Sequence, residues 1–305
     1  MGRWPAAVVV PSLGAPSLTA CLAALRALGP SPQKVVLVLS GGATPPAGAG
    51  GVETVVVPQR LGFAAAVNRG IVAAGDVDSV ALVNDDVVVP PGWLGVLGDA
   101  LGRDDRLAGV QGTLLCGDGA TVDGRGIELD RWALPVQVDR DQRGTEEDAG
   151  TRRLLAVSGT ACLLRREALA AVALIGGAVL DERFGSYHED LDLGLRLRRL
   201  GWRAAWVGGA SAIHAGSATG RTMRWRRAWW LLANRWRAFS GNLSPRALAA
   251  AGPRLCRGEA RAVRTLLRSD PRALVVAAAV AAALPGLIAG GLRRRTPGPR
   301  LEAMP

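Results

Sequence analysis

The sequence predicts an α/β fold with a mostly parallel central sheet and flanking helices, followed by a helical C-terminal tail. Three observations carry this. Short β-branched runs that are apolar throughout alternate with helical patterns in the first third of the chain. Acidic clusters stand where apolar runs end, and beyond position 220 the composition turns basic and Trp-rich. Continuously apolar strands separated by helices mark a parallel sheet covered on both faces.

Taken in order, strands are expected at Ala6 to Val10, Val35 to Leu39, Val52 to Val57 and Val80 to Val83. Helices are expected at Ser17 to Leu28, Phe63 to Ala74 and Trp93 to Leu101, with Pro16 and Pro91 near two of the starts. The stretch Gly117 to Gly150 is rich in Gly, Asp, Glu and Arg with weak periodicity, and reads as a long, partly mobile connection of the kind that serves as a lid or substrate loop. Sheet pattern resumes at Leu154 to Val157 and Ala161 to Leu164, a helix follows from Arg166, and another runs from Glu189 to Leu200 with Gly201 as its stop. Ala204 to Val207 is strand-like. No internal repeat is present.

The chain has 305 residues, 49% apolar and 21% charged, which allows one large domain or two small ones and excludes a disordered chain. Its net charge of +11 is unevenly spread. Residues 221–305 hold 17 Arg against Glu259, Asp270 and Glu302, a balance of +14, whereas residues 1–220 hold 20 basic and 23 acidic residues, a balance of −3. A single Lys, Lys34, makes the basic set almost all Arg, which codon bias explains as well as function does. The asymmetry nevertheless points to nucleic acid or an anionic membrane as the tail's partner. Four widely spaced Cys without a C-x-x-C pair read as buried thiols in a reducing compartment. The N-terminus lacks a charged segment ahead of a long apolar one, so no secretory signal is expected.

Asn84-Asp85-Asp86 follows the run Val80 to Val83 directly and puts two carboxylates at the carboxyl end of a buried strand, where open α/β sheets bind ligands. Such a pair suits a divalent cation that also takes phosphate oxygens, although a solvated turn before Pro90-Pro91 is the plain alternative. His188-Glu189-Asp190-Leu191-Asp192 opens a helix; acids there satisfy the helix dipole, but three in four residues exceed what a cap needs. His214 precedes the small-residue turn Gly216-Ser217 and is either a ligand-facing imidazole or a satisfied structural one.

Five ordered segments over residues 6 to 220 resemble the inverting family 2 glycosyltransferases of the GT-A fold, in particular the bacterial rhamnosyltransferase-like branch. They are Val8 to Ser12, Gln59 to Ala64 with Asn68-Arg69-Gly70, Asn84 to Val87, Val157 to Ala161 with Leu164-Arg165-Arg166, and Phe184 to Arg196 closing with Gly201-Trp202. The resemblance implies a Rossmann-like catalytic domain at 1–220, with a nucleotide-sugar half at about 1–116 and an acceptor half at about 151–220. It implies Asp190 as general base with Glu189 beside it, and Asp86 and His214 as ligands of a divalent cation, Mg²⁺ or Mn²⁺. Donor contacts fall on Pro11, Ser12, Ser40, Gly62, Asn68, Asn84 and Asp85, and acceptor contacts on Gly159, Asp192, Arg196 and Trp202. Pairing of Arg196 with Asp192 at i,i+4 is the alternative for those two. The chain departs from the family in reading Leu39-Ser40-Gly41-Gly42 where an Asp commonly contacts the nucleobase, in Pro11-Ser12-Leu13-Gly14 after the first strand, and in Asn84 for the first Asp of D-x-D.

In the tail, Trp225, Trp229, Leu232, Trp236 and Phe239 share a helical face flanked by Arg224, Arg226, Arg227, Arg235 and Arg237, which suits either a membrane interface or core packing. Ala273 to Gly291 is uncharged over 19 residues, about 28 Å of helix, and its Ala content with Pro285-Gly286 favours a membrane-surface or re-entrant helix over a crossing. The expected partners are a nucleoside-diphosphate sugar, dTDP- or UDP-linked, a polyprenyl-linked glycan acceptor and a membrane surface at the cytoplasmic face of the plasma membrane, in cell-wall or surface-polysaccharide assembly. A nucleotidyltransferase would carry a Gly-rich loop with a basic residue after the first strand; Pro11 to Gly14 lacks one. A catalytically degenerate chain is a further alternative. A nucleic-acid-binding tail is disfavoured by the continuous apolarity of 273–291.

Overall fold

The computed structural model describes residues 6–144, 149–216 and 224–305. Strands β1 (Ala6–Ser12), β2 (Lys34–Ser40), β3 (Glu53–Val57) and β4 (Ser79–Val83) form parallel pairs at the centre and one edge of an eight-stranded sheet. After the short β5 (Val87–Val88), the sheet is completed by β6 (Leu107–Gln111), β11 (Thr151–Leu154), β12 (Ala161–Arg165) and β13 (Arg203–Val207), in the order β11-β13-β6-β12-β4-β1-β2-β3. Here β12 runs antiparallel to β4 and β6, and β11 antiparallel to β13, so the parallel character belongs chiefly to the N-terminal half.

Alternation along β1 shows why the runs are apolar throughout. Val8 and Val10 face a core built with α1 (Leu18–Arg26) and α3 (Trp93–Gly102), while Ala7 and Val9 face a second core built with α2 (Phe63–Ala74), α4 (Arg166–Ala171) and α5 (Glu189–Arg199). Both faces are covered, so neither parity can be polar.

Residues 117–150 are not the loose connection expected. They carry β8 (Val122–Gly124), β9 (Ile127–Leu129) and β10 (Pro135–Gln137); β9 and β10 pair with one another, and β8 joins β7 (Leu114–Cys116), β14 (Ala212–His214) and β5 in a second sheet ordered β5-β14-β7-β8. Residues 145–148 lie outside the described residues. The strand expected at Leu154 to Val157 also ends early, because Ala156 leaves the main sheet to exchange backbone hydrogen bonds with Ile127 in both directions.

Three helices follow: α6 (Arg224–Asn242), α7 (Pro245–Ser269) and α8 (Ala273–Arg293). The boundary expected near 220, the turn at Ser217 and the side chain of Arg224 fall outside the described residues. The aromatic stripe turns inward: Leu232, Trp236 and Phe239 are buried, the latter two against Phe184, Leu191 and Leu195. Removal from water stabilises each by about 1.5–3 kcal/mol, so the stripe serves the core, and Trp225 stays exposed. Arg235, which flanks the stripe, is buried and paired with Glu259 at 2.5 Å. Cys21 and Cys162 are buried as expected, but Cys256 is exposed.

Helices α6 and α8 lie side by side and start at the same end. Val276 and Val280 pack with Ala228, Leu232 and Ala233, and Gly291 lies against Ser240. Among the described residues α8 is the one helix long and apolar enough to cross a membrane, yet only 17% of its most apolar stretch is buried. Leu274 and Val275 stand more than half exposed. Arg294, just past its end, is inserted into the body, 3.1 Å from Asp181 and 2.5 Å from Asp192.

Candidate active site

The carboxyl ends of β1, β2 and β4 open into a cleft of about 760 Å³ lined by Pro11, Ser12, Ser40, Gly62, Asn84 and Asp85 on one side and by Gly159, Glu189, Asp190 and His214 on the other. Ten of the expected positions therefore converge on one cavity, and Asp86 adjoins it through His214.

Asn84 is held where β4 ends by its N–H donating to the Thr160 carbonyl at 2.8 Å. Asp85 points toward β1 and accepts from the Ser12 hydroxyl at 2.5 Å; burial raises its pKa, the Ser12 bond opposes this, and the Asp86 charge adds to the rise. Asp86 faces the other way. Pairing of β14 with β5 sets His214 opposite Val87 and brings its Nε2 to 3.3 Å from Asp86. His214 Nδ1 in turn meets Asp123 at 2.7 Å, and Arg140 pairs with the far oxygen of Asp123 at 3.0 Å. Burial disfavours the imidazolium, but the hydrogen bond to Asp123 and the nearby charge of Asp86 outweigh it and push its pKa up to about 9.

Asp123 was not foreseen. It sits in the stretch of weak periodicity, and no spacing in the sequence distinguishes it from its acidic neighbours. Its place behind His214 matches the carboxylate-histidine arrangement that orients metal-binding imidazoles.

The donor set fits a divalent cation. Asn84 Oδ1, Asp86 Oδ1 and His214 Nε2 are all buried without a hydrogen-bond partner, a cost that a shared ion would remove. Among the described residues no three His, Cys, Asp or Glu side chains form a cage by themselves. That suits a hard cation that completes its shell with phosphate oxygens.

Asp190 lies in the first turn of α5, with one carboxylate oxygen accepting from Leu191 N at 2.8 Å and the other from Gly159 N at 3.3 Å. Burial raises its pKa against the pull of those two N–H groups. Glu189 is raised well above its ordinary range by burial and then by the Asp190 charge, and its Oε2 has no partner. Ahead of them, Tyr187 and His188 adopt left-handed backbone at φ +68° and +67°, which costs non-Gly residues roughly 1–3 kcal/mol each. What holds them is Asn234 of α6, fully buried, whose amide nitrogen lies within 2.8–3.0 Å of the carbonyls of Phe184, Ser186 and Tyr187. Burial drives the His188 pKa down to about 4, so this imidazole is neutral near pH 7. Gly62 is required where it stands, since a Cβ there would come within 2.7 Å of the Gly185 backbone and separate the two sides of the cleft.

Four expected contacts lie elsewhere. Asn68 is buried beneath the cleft, bonded through its side chain to both the N–H and the carbonyl of Leu180, so it ties α2 to the turn before α5. Asp192 and Arg196 form the i,i+4 pair at 2.9 Å, both fully buried, with Arg196 also donating to the Val172 and Val179 carbonyls. They point off the inner face of α5, whereas Asp190 points to the cleft. Trp202 lines a separate cavity of about 100 Å³ behind Asp190.

Among solved structures the chain is similar to GalNAc-T7 crystallised with UDP, GalNAc and Mn²⁺ (14% identity, TM-score 0.57, covering 79% of this chain and 48% of that one). It is also similar to the mannosyltransferase PcManGT from Pyrobaculum calidifontis in complex with GDP-Man and Mn²⁺ (18% identity, TM-score 0.54, covering 95% and 80%). These likenesses establish the GT-A fold. Two curated relatives, the N-acetylglucosaminyl-diphospho-decaprenol L-rhamnosyltransferases of Mycobacterium tuberculosis strains CDC 1551 / Oshkosh and ATCC 25618 / H37Rv, are each 30% identical over 191 residues, 53% of this chain and 58% of theirs. The chain thus spans little more than half the length of the curated relatives it matches. The model of the glycosyltransferase like family 2 matches residues 5–241, from the first strand through nearly all of α6, and with the fold and the cleft in agreement the chain belongs to that family and is a glycosyltransferase.

Proposed function

We propose that the protein transfers a sugar, with inversion, from a dTDP- or UDP-linked donor to a polyprenyl-diphosphate glycan at the cytoplasmic face of the plasma membrane, in cell-wall or surface-polysaccharide assembly. By analogy with the curated relatives, rhamnose is the favoured sugar and lipid-linked GlcNAc the favoured acceptor. The observation that carries the reading is the meeting in one cleft of Asn84 and His214 with Asp190.

In this mechanism Pro11, Ser12 and Ser40 line the donor's nucleoside end, with the Ser40 hydroxyl, which accepts from Leu61 N, standing where an acid is usual. Asn84, Asp86 and His214 would hold Mg²⁺ or Mn²⁺, which when bound neutralises the diphosphate leaving group. Asp123 keeps the ring of His214 turned so that Nε2 faces Asp86. Asp190 takes the proton of the attacking acceptor hydroxyl, and its raised pKa makes it a stronger base than a free carboxylate. Gly159 N and Leu191 N fix the direction of that carboxylate. Glu189 lies behind it, and its suppressed ionisation keeps a second negative charge from forming beside the base.

At the membrane, α8 rests along α6 for its whole length and Arg294 fastens its far end. A crossing would have to peel it from both, so the reading is a helix lying in the interface with its outer face toward lipid. A thermal-shift screen of the full chain with Mn²⁺ against dTDP-, UDP- and GDP-sugars tests the donor assignment. Metal-dependent stabilisation by a dTDP- or UDP-sugar is expected; stabilisation by none, or only by GDP-sugars, overturns it.

A further inference from the structure

The cleft has a second charged wall, apart from the proposed donor contacts. Arg226 and Arg227, in the first turn of α6, line it together with Trp230 of the same helix and Tyr187. The Arg227 guanidinium stacks 5.7 Å over the Tyr187 ring, whose centroid is 6.3 Å from that of Trp230. Tyr187 is three residues before the proposed base, so this wall flanks the place from which an acceptor hydroxyl must approach.

Several of the tail's other arginines are committed to structure, and others, such as Arg257 and Arg261, are exposed on α7 away from the cleft. Arg235 pairs with Glu259, Arg294 with Asp181 and Asp192, and Arg300 donates to carbonyls that include those of Ser240, Gly291 and Leu292. By contrast Arg226 and Arg227 are exposed, and among the described residues neither pairs with a carboxylate. Two adjacent guanidiniums beside a concave wall are suited to an anion of two linked phosphates, each offering several oxygens.

The position of the pair adds direction. Because α6 and α8 start at the same end, the wall stands next to the exposed apolar residues Trp225, Leu274 and Val275. A ligand with a diphosphate joined to a long hydrocarbon would meet charge and lipid within one short span.

We infer that Arg226 and Arg227, backed by Tyr187 and Trp230, form the seat for the diphosphate of the lipid-linked acceptor, separate from the Asn84–Asp86–His214 seat of the donor diphosphate. This rests on the acceptor class proposed above. The pair fixes the acceptor's phosphates at the rim, the prenyl chain leaves toward Leu274 and Val275, and the glycan is left to extend toward Asp190.

The test uses the full chain in nonionic detergent with GlcNAc-diphospho-farnesol and GlcNAc-monophospho-farnesol as acceptors. In the double variant Arg226→Ala/Arg227→Ala the acceptor KM for the diphosphate compound should rise at least about tenfold, with a much smaller change for the monophosphate. The Lys double variant should lie between, and Arg257→Ala/Arg261→Ala, which removes the same charge from exposed positions of α7, should match the unaltered protein. An unchanged diphosphate KM in the Ala variant overturns the inference. So does an Ala variant that loses binding to phosphatidylglycerol vesicles while keeping its acceptor KM, because the pair then serves lipid headgroups. If the unaltered protein glycosylates soluble saccharides and neither farnesyl acceptor, the acceptor class itself fails, and the seat fails with it.

Discussion

As the proposed base, Asp190 must be ionised to accept a proton, and its burial opposes ionisation. The pKa of a buried acid raised in this way has a sign that can be followed. The folded protein holds the proton more readily than the unfolded chain, so the stability is fully present below the unfolded carboxylate range and is lost as pH rises through the raised value. Activity runs the opposite way, and the acid limb of kcat/KM should lie above the ordinary carboxylate range. Asp190→Asn is expected to cut transfer by roughly 10²–10⁴-fold with donor affinity retained and Tm at pH 7 equal or higher. Steady-state kinetics, donor titration and thermal unfolding check the three parts, and undiminished turnover removes Asp190 as base. At this scale the sequence was legible where acids cluster at an element's end, as at Asn84–Asp86 and Glu189–Asp192. It was silent on Asp123, whose role comes only from the second sheet bringing β8 beside β14.

Helix α5 shows what periodicity can and cannot say. Its bounds followed from apolar spacing and a Gly stop, but every side of it is occupied. Leu193 and Leu197 face the sheet, Leu191 and Leu195 face α6, Asp190 faces the cleft, and Asp192 is buried with Arg196 and Arg294. A sequence pattern gives the angle between residues along a helix and not what lies across from each, so Asp192 and Arg196 read equally well as acceptor contacts. The same holds for α6, whose stripe suited lipid and core alike until Phe184 and Leu191 supplied the partner. Arg294→Ala removes the cation that Asp181 and Asp192 share and leaves them with Arg183 and Arg196, a loss of up to about 3–5 kcal/mol measurable by denaturant unfolding. Burial opposes the charge of Asp181, but Arg183 and Arg294 outweigh it and hold its pKa at about 2. Its contribution to stability is present above the unfolded carboxylate range and is lost as pH falls toward that value. Without Arg294 the loss should begin at higher pH, and acid titrations of the two proteins followed by circular dichroism compare them directly.

Over the whole molecule, the charge of +11 separates into an acidic body and a basic tail, yet part of that tail is internal. The helices from 224 onward cover Phe184, Leu191 and Leu195, so they complete the catalytic body as well as facing outward. The membrane seat is tested at residues that pack on nothing essential. Leu274→Asp/Val275→Asp should weaken binding to anionic vesicles at least about tenfold and leave Tm unchanged, as read by sedimentation and thermal unfolding. Retained vesicle binding would assign the membrane contact to another surface. The bond between Asp192 and Arg294 also has a meaning in time. The two partners stand 102 positions apart, and the earlier one emerges from the ribosome first, at roughly 5–20 residues per second. A nascent chain therefore carries α5 for several seconds with Asp192 paired to Arg196 alone. The contacts of Asp192 are complete only when the apolar helix preceding Arg294 has also been made.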